Sequence, residues 1–453
     1  MHSDAQAMRI ANLNARIDRL PSWSLSYGVL VLVGVAYFFA FYDILTISFT
    51  LPTLTKFFHM QGYQIAYPVT ANLFGYVIGA YILGNVADII GRRRAMLVTV
   101  GILALGSLLA AFSTDVTTLT IYRFITGLGM GAELSLAATI ITELSPAGRR
   151  GKYMQANYLW GGFGLGVTPF LALWLLGTGA DGWRLIYAFG ALVALVSIFA
   201  RKNLLPESPR WLVLHGREEE AEQMVQKMEA NATRRFGSLP ELPPPVAEAS
   251  ESGFPTAFLF KAPYLGRLLV TLAFWLVWYI TVYAYLGYEP TLLIKQGMST
   301  PNGLLFSALG DIAIPLGAVI VYLLIDKFER KVTVSSIAFI FAIALVLMAI
   351  NANPVLTFIG SFFSAMMIAA NSAAYVYTAE AFPTRARATA TSIGDGVGHV
   401  GGAVAPFIVV WAMSALGASG TFGLLAGIVA LSGVIILSLG IRTVHLRLQE
   451  IAS

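Results

Sequence analysis

Long apolar segments recur along the whole chain and constrain its fold more than any other feature. Hydrophobic residues make up 57% of the 453 residues and charged residues only 12%, whereas soluble proteins carry about 25% charged residues. Such a chain cannot cover its surface with polar groups. Because each segment has the roughly 20 residues that cross a bilayer, the sequence predicts a multi-pass membrane protein.

The apolar segments are rich in Gly, Ala and Leu, which suits closely packed membrane helices. They lack the alternating pattern of a membrane barrel. We therefore expect an all-α membrane protein with twelve transmembrane helices. The expected spans lie near 27–50, 66–90, 94–113, 117–142, 153–177, 183–202, 264–294, 303–326, 332–350, 354–380, 387–414 and 418–441.

The basic residues predict the orientation of these spans. Most of the 29 Lys and Arg residues lie in the terminal segments and in every second loop. The opposite side has only Lys56, Arg184 and Lys295, and Arg123 lies within a span. Because loops rich in Lys and Arg stay in the cytoplasm, we expect both termini there, in a protein of the inner (plasma) membrane.

One long polar stretch, residues 203–262, separates the spans into two groups of six. It contains a charged amphipathic segment and a linker rich in Pro, Glu and Ser, a composition that we do not expect to build a packed core. The predicted organisation is a cytoplasmic N-terminal segment (1–26), a six-helix half (27–202), a cytoplasmic central loop (203–262), a second six-helix half (263–441) and a cytoplasmic tail (442–453).

Four motifs in order resemble signatures of the major facilitator superfamily. They are GNVADIIGRRR (84–94), RFITGLGMGAE (123–133), PESPRWL (206–212) and EAFPTRAR (380–387). This resemblance implies two similar six-helix halves and transport by alternating access. Glu133, Pro315 and EAFPTRAR resemble the nicotinate and aromatic-acid carriers and their organic-ion relatives, whereas the seventh span lacks the Gln pair of the sugar porters.

Ionisable residues inside membrane spans are the candidates for proton coupling, because each costs about 2.5–3.5 kcal/mol to insert. Asp43 lies in FFAFYDILTIS and resembles the first-helix Asp of proton-coupled porters, where it faces the fourth-helix Arg, here Arg123. A neighbouring Arg favours the carboxylate, and its withdrawal favours proton uptake. We expect Asp43, Arg123 and Glu133 to couple transport to protons; a static pair that only fixes helix packing is the alternative.

His399 in the eleventh span is the candidate for contact with an anionic substrate. The matching position in related organic-ion transporters holds Asp in cation carriers and Arg in anion carriers, and histidine changes its charge between about pH 5 and 8. Asp395 lies on the same helical face. The alternative is a core histidine bonded to Asp395 and a carbonyl. For the rest of the substrate site we expect Tyr42, Tyr158, Trp278, Tyr283 and Asp311.

Acidic and basic residues at the cytoplasmic ends of the spans resemble the inner gate of the superfamily. The resemblance implies salt bridges between the halves in the outward-facing state, whereas the topology alone also requires basic loops. The gate residues are Asp88, Arg92, Arg93, Glu143, Arg149, Arg150, Glu207, Arg210, Glu380 and Arg387.

The sequence therefore favours a proton-coupled symporter of a small organic anion, such as an aromatic carboxylate. A cation or drug antiporter, a sugar:proton symporter and a transport-inactive receptor stay open as alternatives. No nucleophile–base arrangement indicates an enzyme. With no cysteine and five histidines without metal-ligand spacing, we expect no metal and no cofactor. The expected partners are the substrate, protons and the lipid bilayer, without nucleic acid, in a monomer.

Overall fold

The structure is a computed structural model that describes residues 2–199, 204–245, 259–262, 264–325, 327–382 and 384–443. Within these ranges, the side chains of 2–5, 197–199 and 384–388 are outside the description. The regular elements of the described residues are helices, which confirms the all-α prediction.

The first part of the chain forms a short N-terminal helix and a series of long apolar helices. They are α1 (His2–Asp18), α2 (Tyr27–Phe57), α3 (Tyr67–Ile90), α4 (Arg92–Ala111), α5 (Val116–Leu144), α6 (Arg150–Leu176), α7 (Gly182–Gly190) and α8 (Ala194–Phe199). A polar residue caps the start of α5. Asp115 accepts a hydrogen bond from the backbone N–H of Thr118 at 2.9 Å, which satisfies a donor that the first helical turn leaves free.

The second part begins with two helices of the central loop and continues with long apolar helices. They are α9 (Pro209–Leu214), α10 (Glu218–Phe236), α11 (Tyr264–Lys295), α12 (Thr300–Asp311), α13 (Ile314–Leu324), α14 (Arg330–Ile350), α15 (Pro354–Ala370), α16 (Ser372–Glu380) and α17 (Thr384–Leu439). The break between α12 and α13 falls just before Pro315, which lacks the N–H that a continuous helix needs.

Ten helical segments of the described residues are long and apolar enough to cross a membrane. The expected eleventh and twelfth spans are joined in α17 and separated only at Gly417, whose φ of 70° is not helical. The expected sixth span falls on α7, a 3₁₀ turn and α8, and its last residues lie outside the described ranges. Large apolar side chains such as Phe74, Phe112, Trp174 and Ile343 remain exposed, as lipid contact requires.

The expectation that the central loop has no packed core is wrong for residues 209–236. Helices α9 and α10 pack on α1, and their apolar side chains form a separate small core with Leu13 and Ile17. Arg16 of α1 donates hydrogen bonds to Glu222 and Glu229 of α10, at 2.8 and 2.7 Å. Average composition concealed this because the four buried residues of α10, all apolar, lie on one face of an otherwise charged helix.

Glycines bring α3 and α5 into close contact. A Cβ atom at Gly127 would collide with the Asn72 carbonyl, and one at Gly131 with the Tyr76 carbonyl. The GLGMG segment of α5 (127–131) thus serves close helix packing. The close approach also fixes where the side chains of Asn72 and Tyr76 lie in the interior.

Candidate functional site

Asp43 of α2 and Arg123 of α5 form a buried ion pair. The Arg123 Nη1 atom donates to Asp43 Oδ1 at 2.6 Å, and Nη2 lies 3.4 Å from the Asp43 carbonyl oxygen. Both side chains are almost fully buried. The guanidinium also lies over the Tyr187 ring, 5.7 Å from its centroid. The structure thus brings together the two residues that the sequence paired across 80 positions.

Asn72 of α3 completes this pair, and sequence reasoning did not identify it. Its amide nitrogen donates to Asp43 Oδ2 at 3.3 Å and to the Arg123 carbonyl oxygen at 3.2 Å. The Arg123 Nε atom has no hydrogen-bond partner among the described residues. Both carboxylate oxygens of Asp43 therefore accept a donor, while the guanidinium keeps an unused one.

Glu133 lies on the same helix as Arg123 but belongs to a different set of contacts. Its Oε2 atom accepts a hydrogen bond from Thr99 Oγ1 of α4 at 3.0 Å, and its side chain is fully buried. The Oε1 atom has no partner among the described residues. The structure therefore separates Glu133 from the Asp43–Arg123 pair.

His399 of α17 lies in a box of aromatic rings. Its ring stacks on Tyr76, with 4.1 Å between centroids, and meets Tyr279 edge-on at 4.8 Å and Tyr283 at 5.5 Å. Nδ1 lies 2.9 Å from the Asp395 carbonyl oxygen. Because a carbonyl only accepts, Nδ1 is the donor.

Asp395 is held at the edge of this box by two phenol groups. Tyr375 and Tyr279 donate hydrogen bonds to its Oδ1 atom, at 2.6 and 3.0 Å. Its Oδ2 atom lies 3.4 Å from His399 Nδ1. The side chain of Asp395 is 27% exposed, against 5% for His399. The more accessible charged group of the box is thus acidic.

Glycines of α17 make room for the rings of α11. A Cβ atom at Gly398 would collide with the Tyr279 ring, and one at Gly402 with the Tyr283 ring. Rings and glycines both repeat every four residues, so each lies on one helical face. This spacing was a usable signal for Tyr279, which the sequence prediction missed.

Two predicted substrate residues lie away from the box. The Tyr42 hydroxyl donates to the Ile186 carbonyl oxygen at 2.8 Å, inside the first group of helices. Trp278 is stacked on Phe274 at 5.9 Å and packs against Phe341 of α14. We expected Tyr42 and Trp278 in the substrate site with His399, but their contacts lie elsewhere. Trp278 is five residues from Tyr283, which places it on another face of α11.

Tyr158 lies at the edge of the box, where it interacts electrostatically with Asp395 and Tyr76, whereas Asp311 lies apart from it. Tyr158 is half exposed and meets the Tyr37 ring edge-on at 5.8 Å. Asp311 is buried at the end of α12, close to Glu289 of α11. Of the predicted substrate residues, the structure brings together Tyr158, Tyr283, Asp395 and His399.

A small cavity of about 20 Å³ lies between the ion pair and the aromatic box. Asn72, which binds Asp43, is part of one wall, and Tyr283, which contacts His399, is part of the other. It has room for about one water molecule and is far smaller than a ligand pocket, so a substrate requires the surrounding helices to separate. A single layer of side chains therefore separates the cavity from each of the two candidate sites.

The predicted gate residues of the first six spans pair with one another. Arg92 binds Glu143 and Asp88, each at 2.9 Å. Glu207 accepts the backbone N–H groups of Arg92 and Arg93, at 2.7 and 3.3 Å. From the sequence we expected Glu143 to pair with Arg149 and Arg150, which follow it; it binds Arg92 instead, because α4 begins beside the end of α5.

The remaining gate residues lie at the same end of the bundle. Arg150 lies 3.5 Å from Asp18 of α1, and both Arg149 and Arg210 are exposed. The side chain of Arg387 is outside the described residues.

In the second group of helices, Glu380 binds Arg330 at 3.3 Å and accepts a hydrogen bond from Thr443 at 2.8 Å. Arg330 was not among the predicted gate residues. Arg330 follows α13 as Arg92 follows α3. The similarity between the two halves was therefore the sequence signal that could have identified Arg330.

At the other end of the bundle, the two groups of helices touch. The Thr70 hydroxyl of α3 donates to the Ala403 carbonyl of α17 at 3.0 Å. The Tyr63 and Phe407 rings lie 5.9 Å apart. We call this the closed end, opposite to the end that carries α1 and residues 440–443.

The family described as sugar (and other) transporter matches residues 29–453. The chain therefore belongs to this transporter family of the major facilitator superfamily. The xylose transporter XylE from E. coli, in its inward open conformation, superposes with a TM-score of 0.72 at 19% identity, over 94% of this chain and 98% of that one.

Two relatives are similar over most of their length. The putative metabolite transport protein YyaJ of Bacillus subtilis is 29% identical, with 86% of each chain covered. The niacin transporter NiaP of Acinetobacter baylyi is 29% identical, with 89% of this chain and 91% of that one covered. The family and the fold are those of membrane transporters and not of enzymes.

Proposed function

We propose that this protein is a secondary transporter that moves a small organic anion, such as an aromatic carboxylate, together with protons by alternating access. The observation that carries the proposal is the aromatic box around His399, one cavity away from the buried pair of Asp43 and Arg123. The similarity to a niacin transporter supports an aromatic carboxylate as substrate.

Proton coupling at Asp43 is supported by the buried ion pair. The pair is stable only while Arg123 stays beside the carboxylate, since an unpaired charge inside the protein costs several kcal/mol. Any movement that withdraws the guanidinium makes Asp43 take up a proton. Asn72 binds Asp43 and also borders the cavity. A molecule that enters the cavity therefore contacts Asn72 and alters its hydrogen bond to Asp43.

Recognition of an aromatic anion is supported by the composition of the box. Flat rings around His399 match a flat ligand, and a protonated imidazole supplies a positive charge. The Asp395 carboxylate stabilises this charge, because its Oδ2 atom lies 3.4 Å from His399 Nδ1. Nδ1 is engaged by a carbonyl oxygen, so Nε2 is the ring atom left to face a carboxylate.

The remaining features of the proposal follow from topology. We propose twelve spans in two six-helix halves, divided by residues 203–262, with both termini in the cytoplasm and the protein in the inner membrane as a monomer. The break at Gly417 supports two spans within α17. With this orientation, the closed end faces outward, and the structure corresponds to an inward-facing state.

Uptake by the purified protein in proteoliposomes tests this function. The panel contains nicotinate, benzoate, tetraethylammonium and xylose, each with and without an inward proton gradient. We expect the gradient to drive accumulation of nicotinate or benzoate and to leave the other two unaffected. Accumulation of xylose alone contradicts the proposal.

A second candidate function, an organic cation carrier exchanging for protons, is favoured by one observation. Asp395 is the more exposed charged group of the box, and an acid among aromatic rings is a suitable site for an organic cation. This candidate predicts that tetraethylammonium is transported and that an outward proton gradient drives its accumulation.

A further inference from the structure

A second pair of carboxyl groups is buried among the later helices, away from Asp43 and from the aromatic box. Glu289 of α11 and Asp311 of α12 are each 2% exposed. They interact electrostatically with each other. Neither the substrate site nor the proton coupling described above uses them.

The polar neighbours of this pair are hydroxyl groups. Ser361 of α15 donates to Glu289 Oε1 at 2.5 Å. Tyr285 is the other titratable group acting there, and its hydroxyl donates to the Ser361 carbonyl at 3.0 Å. Among the described residues of the helices packed around the pair, no Lys, Arg or His acts on either carboxyl group.

One further polar atom at the pair lacks a partner. Asp311 Oδ1 is buried without a hydrogen bond among the described residues, whereas the Ser307 hydroxyl acts on Glu289. The break after α12 adds a second acceptor, because Pro315 has no N–H for the Asp311 carbonyl four residues earlier. Oxygen atoms left unpaired inside a membrane protein are costly unless they bind something.

We infer that Glu289 and Asp311 form a second proton-binding site, in which the carboxyl groups hold at least one proton at neutral pH. Two ionised carboxylates cannot remain together in a buried place without a cation, because each loses its hydration and each repels the other. A proton on one group removes the repulsion and one of the two desolvation costs, and it supplies a donor for an unpaired oxygen. Broken helix ends in other transporters bind protons or sodium ions in this way.

Infrared spectroscopy of the full-length protein in lipid tests this site without any substrate. At pH 7 we expect the wild-type protein to show carboxylic-acid C=O absorption, and one component of it to disappear in Asp311→Asn or in Glu289→Gln. Any contribution from Glu133, which is buried beside Thr99, should be the same in both variants and in the wild type. Both replacements have nearly the same shape as the original residue, so the fold is expected to persist. Asp181→Asn, in an exposed loop, is the matched control and should remove no such band.

A second variant and a cation exchange keep the test decisive. Ser307→Ala should shift the frequency of the band without removing it, because only a neighbouring hydroxyl is lost. The inference is overturned if neither acid variant changes the carboxylic-acid bands, or if replacing choline by sodium ions abolishes the band and so identifies sodium as the bound cation. The readout is independent of transport, so it stays informative even if the uptake panel contradicts the proposed function.

Discussion

At the scale of single residues, the proposed chemistry depends on side chains that are charged and almost fully enclosed. Asp43 accepts hydrogen bonds from two different helices, through Arg123 and Asn72. His399 is enclosed by rings from α3 and α11. In such surroundings a change of one charge is worth several kcal/mol, because little water is present to screen it.

Replacing Asp43 by Asn should separate transport from the proton gradient. The amide keeps the shape of the side chain but cannot take up a proton, so we expect gradient-driven nicotinate uptake to fall to the level without a gradient. Exchange of internal for external nicotinate should persist. Radiolabelled uptake in proteoliposomes measures both, with Asp181→Asn as the control; gradient-driven uptake that persists in Asp43→Asn contradicts the role of Asp43.

The charge at position 399 should set the charge of the substrate. We expect His399→Arg to retain nicotinate uptake and to remove its dependence on pH between about 5 and 8, since Arg does not titrate there. His399→Asp should lose nicotinate uptake and favour tetraethylammonium. Competition between the two ligands measures the change, and unchanged selectivity in both variants contradicts the assignment.

At the scale of helices, glycines determine how closely neighbouring spans pack and therefore where the functional side chains lie. The glycines of α5 bring Asn72 and Tyr76 inward, and those of α17 accept the rings of α11. Helices outside the spans are joined differently. Helices α1 and α10 are held together by apolar contacts and by partly buried ion pairs of Arg16.

Replacing Gly398 by Ala should weaken ligand binding. The added methyl group would collide with the Tyr279 ring, and overpacking of this kind costs about 1–3 kcal/mol. If this strain acts on the box, nicotinate affinity falls about 5-fold or more. Gly396→Ala is the matched control, because a Cβ atom there meets nothing within 4 Å. Equal effects of the two replacements in a binding titration would rule out this packing role.

Docking of α10 on α1 should depend on Arg16 and on pH. The hydrogen bond from Arg16 lowers the pKa of Glu222. For Glu229 burial acts in the opposite direction, but the hydrogen bonds from Arg16 and Arg19 prevail and its pKa is also lowered. The stabilisation is therefore complete above the unfolded pKa of about 4.3 and is lost as the pH falls through the folded values.

Hydrogen exchange of the α10 backbone measures this docking. We expect Arg16→Ala to speed exchange by roughly 5- to 30-fold, corresponding to about 1–2 kcal/mol for partly exposed charged hydrogen bonds. Acidification of the wild-type protein below about pH 4 should have a similar effect. Arg217→Ala, which removes an exposed pair with Glu220 at the start of α10 and a contact 5.9 Å from the Trp211 ring centroid, leaves Arg16 in place and should change exchange much less.

At the scale of the whole molecule, the two groups of helices meet at the closed end and across the central box. Thr70 binds Ala403, and Tyr76 of the first group stacks on His399 of the second. At the opposite end, Arg92 and Arg330 each bind a glutamate of their own group. Alternating access requires the contacts of the closed end to break and those of the opposite end to rearrange.

Locking the closed end should therefore stop transport. The protein has no cysteine, so a pair introduced as Tyr63→Cys and Phe407→Cys can be joined selectively by a short thiol cross-linker. We expect cross-linking to abolish nicotinate uptake and reduction to restore it. Phe306→Cys with Phe358→Cys, within the second group and with the same 5.9 Å ring distance, should leave uptake intact. Undiminished uptake by the locked protein contradicts alternating access at this end.

The sequence alone determined the membrane class, the positions of most spans, the family and the pairing of Asp43 with Arg123. These follow from local properties, namely runs of apolar residues, the distribution of charge and short motifs. Only the tertiary structure decided which aromatic residues face His399, that Asn72 binds Asp43 and that Tyr42 and Trp278 lie elsewhere. The reason is physical: a membrane helix is apolar toward both lipid and neighbours, so its rotation is set by packing against glycines distant in sequence. The docking of α10 on α1 was hidden for a related reason, since it joins segments about 200 residues apart.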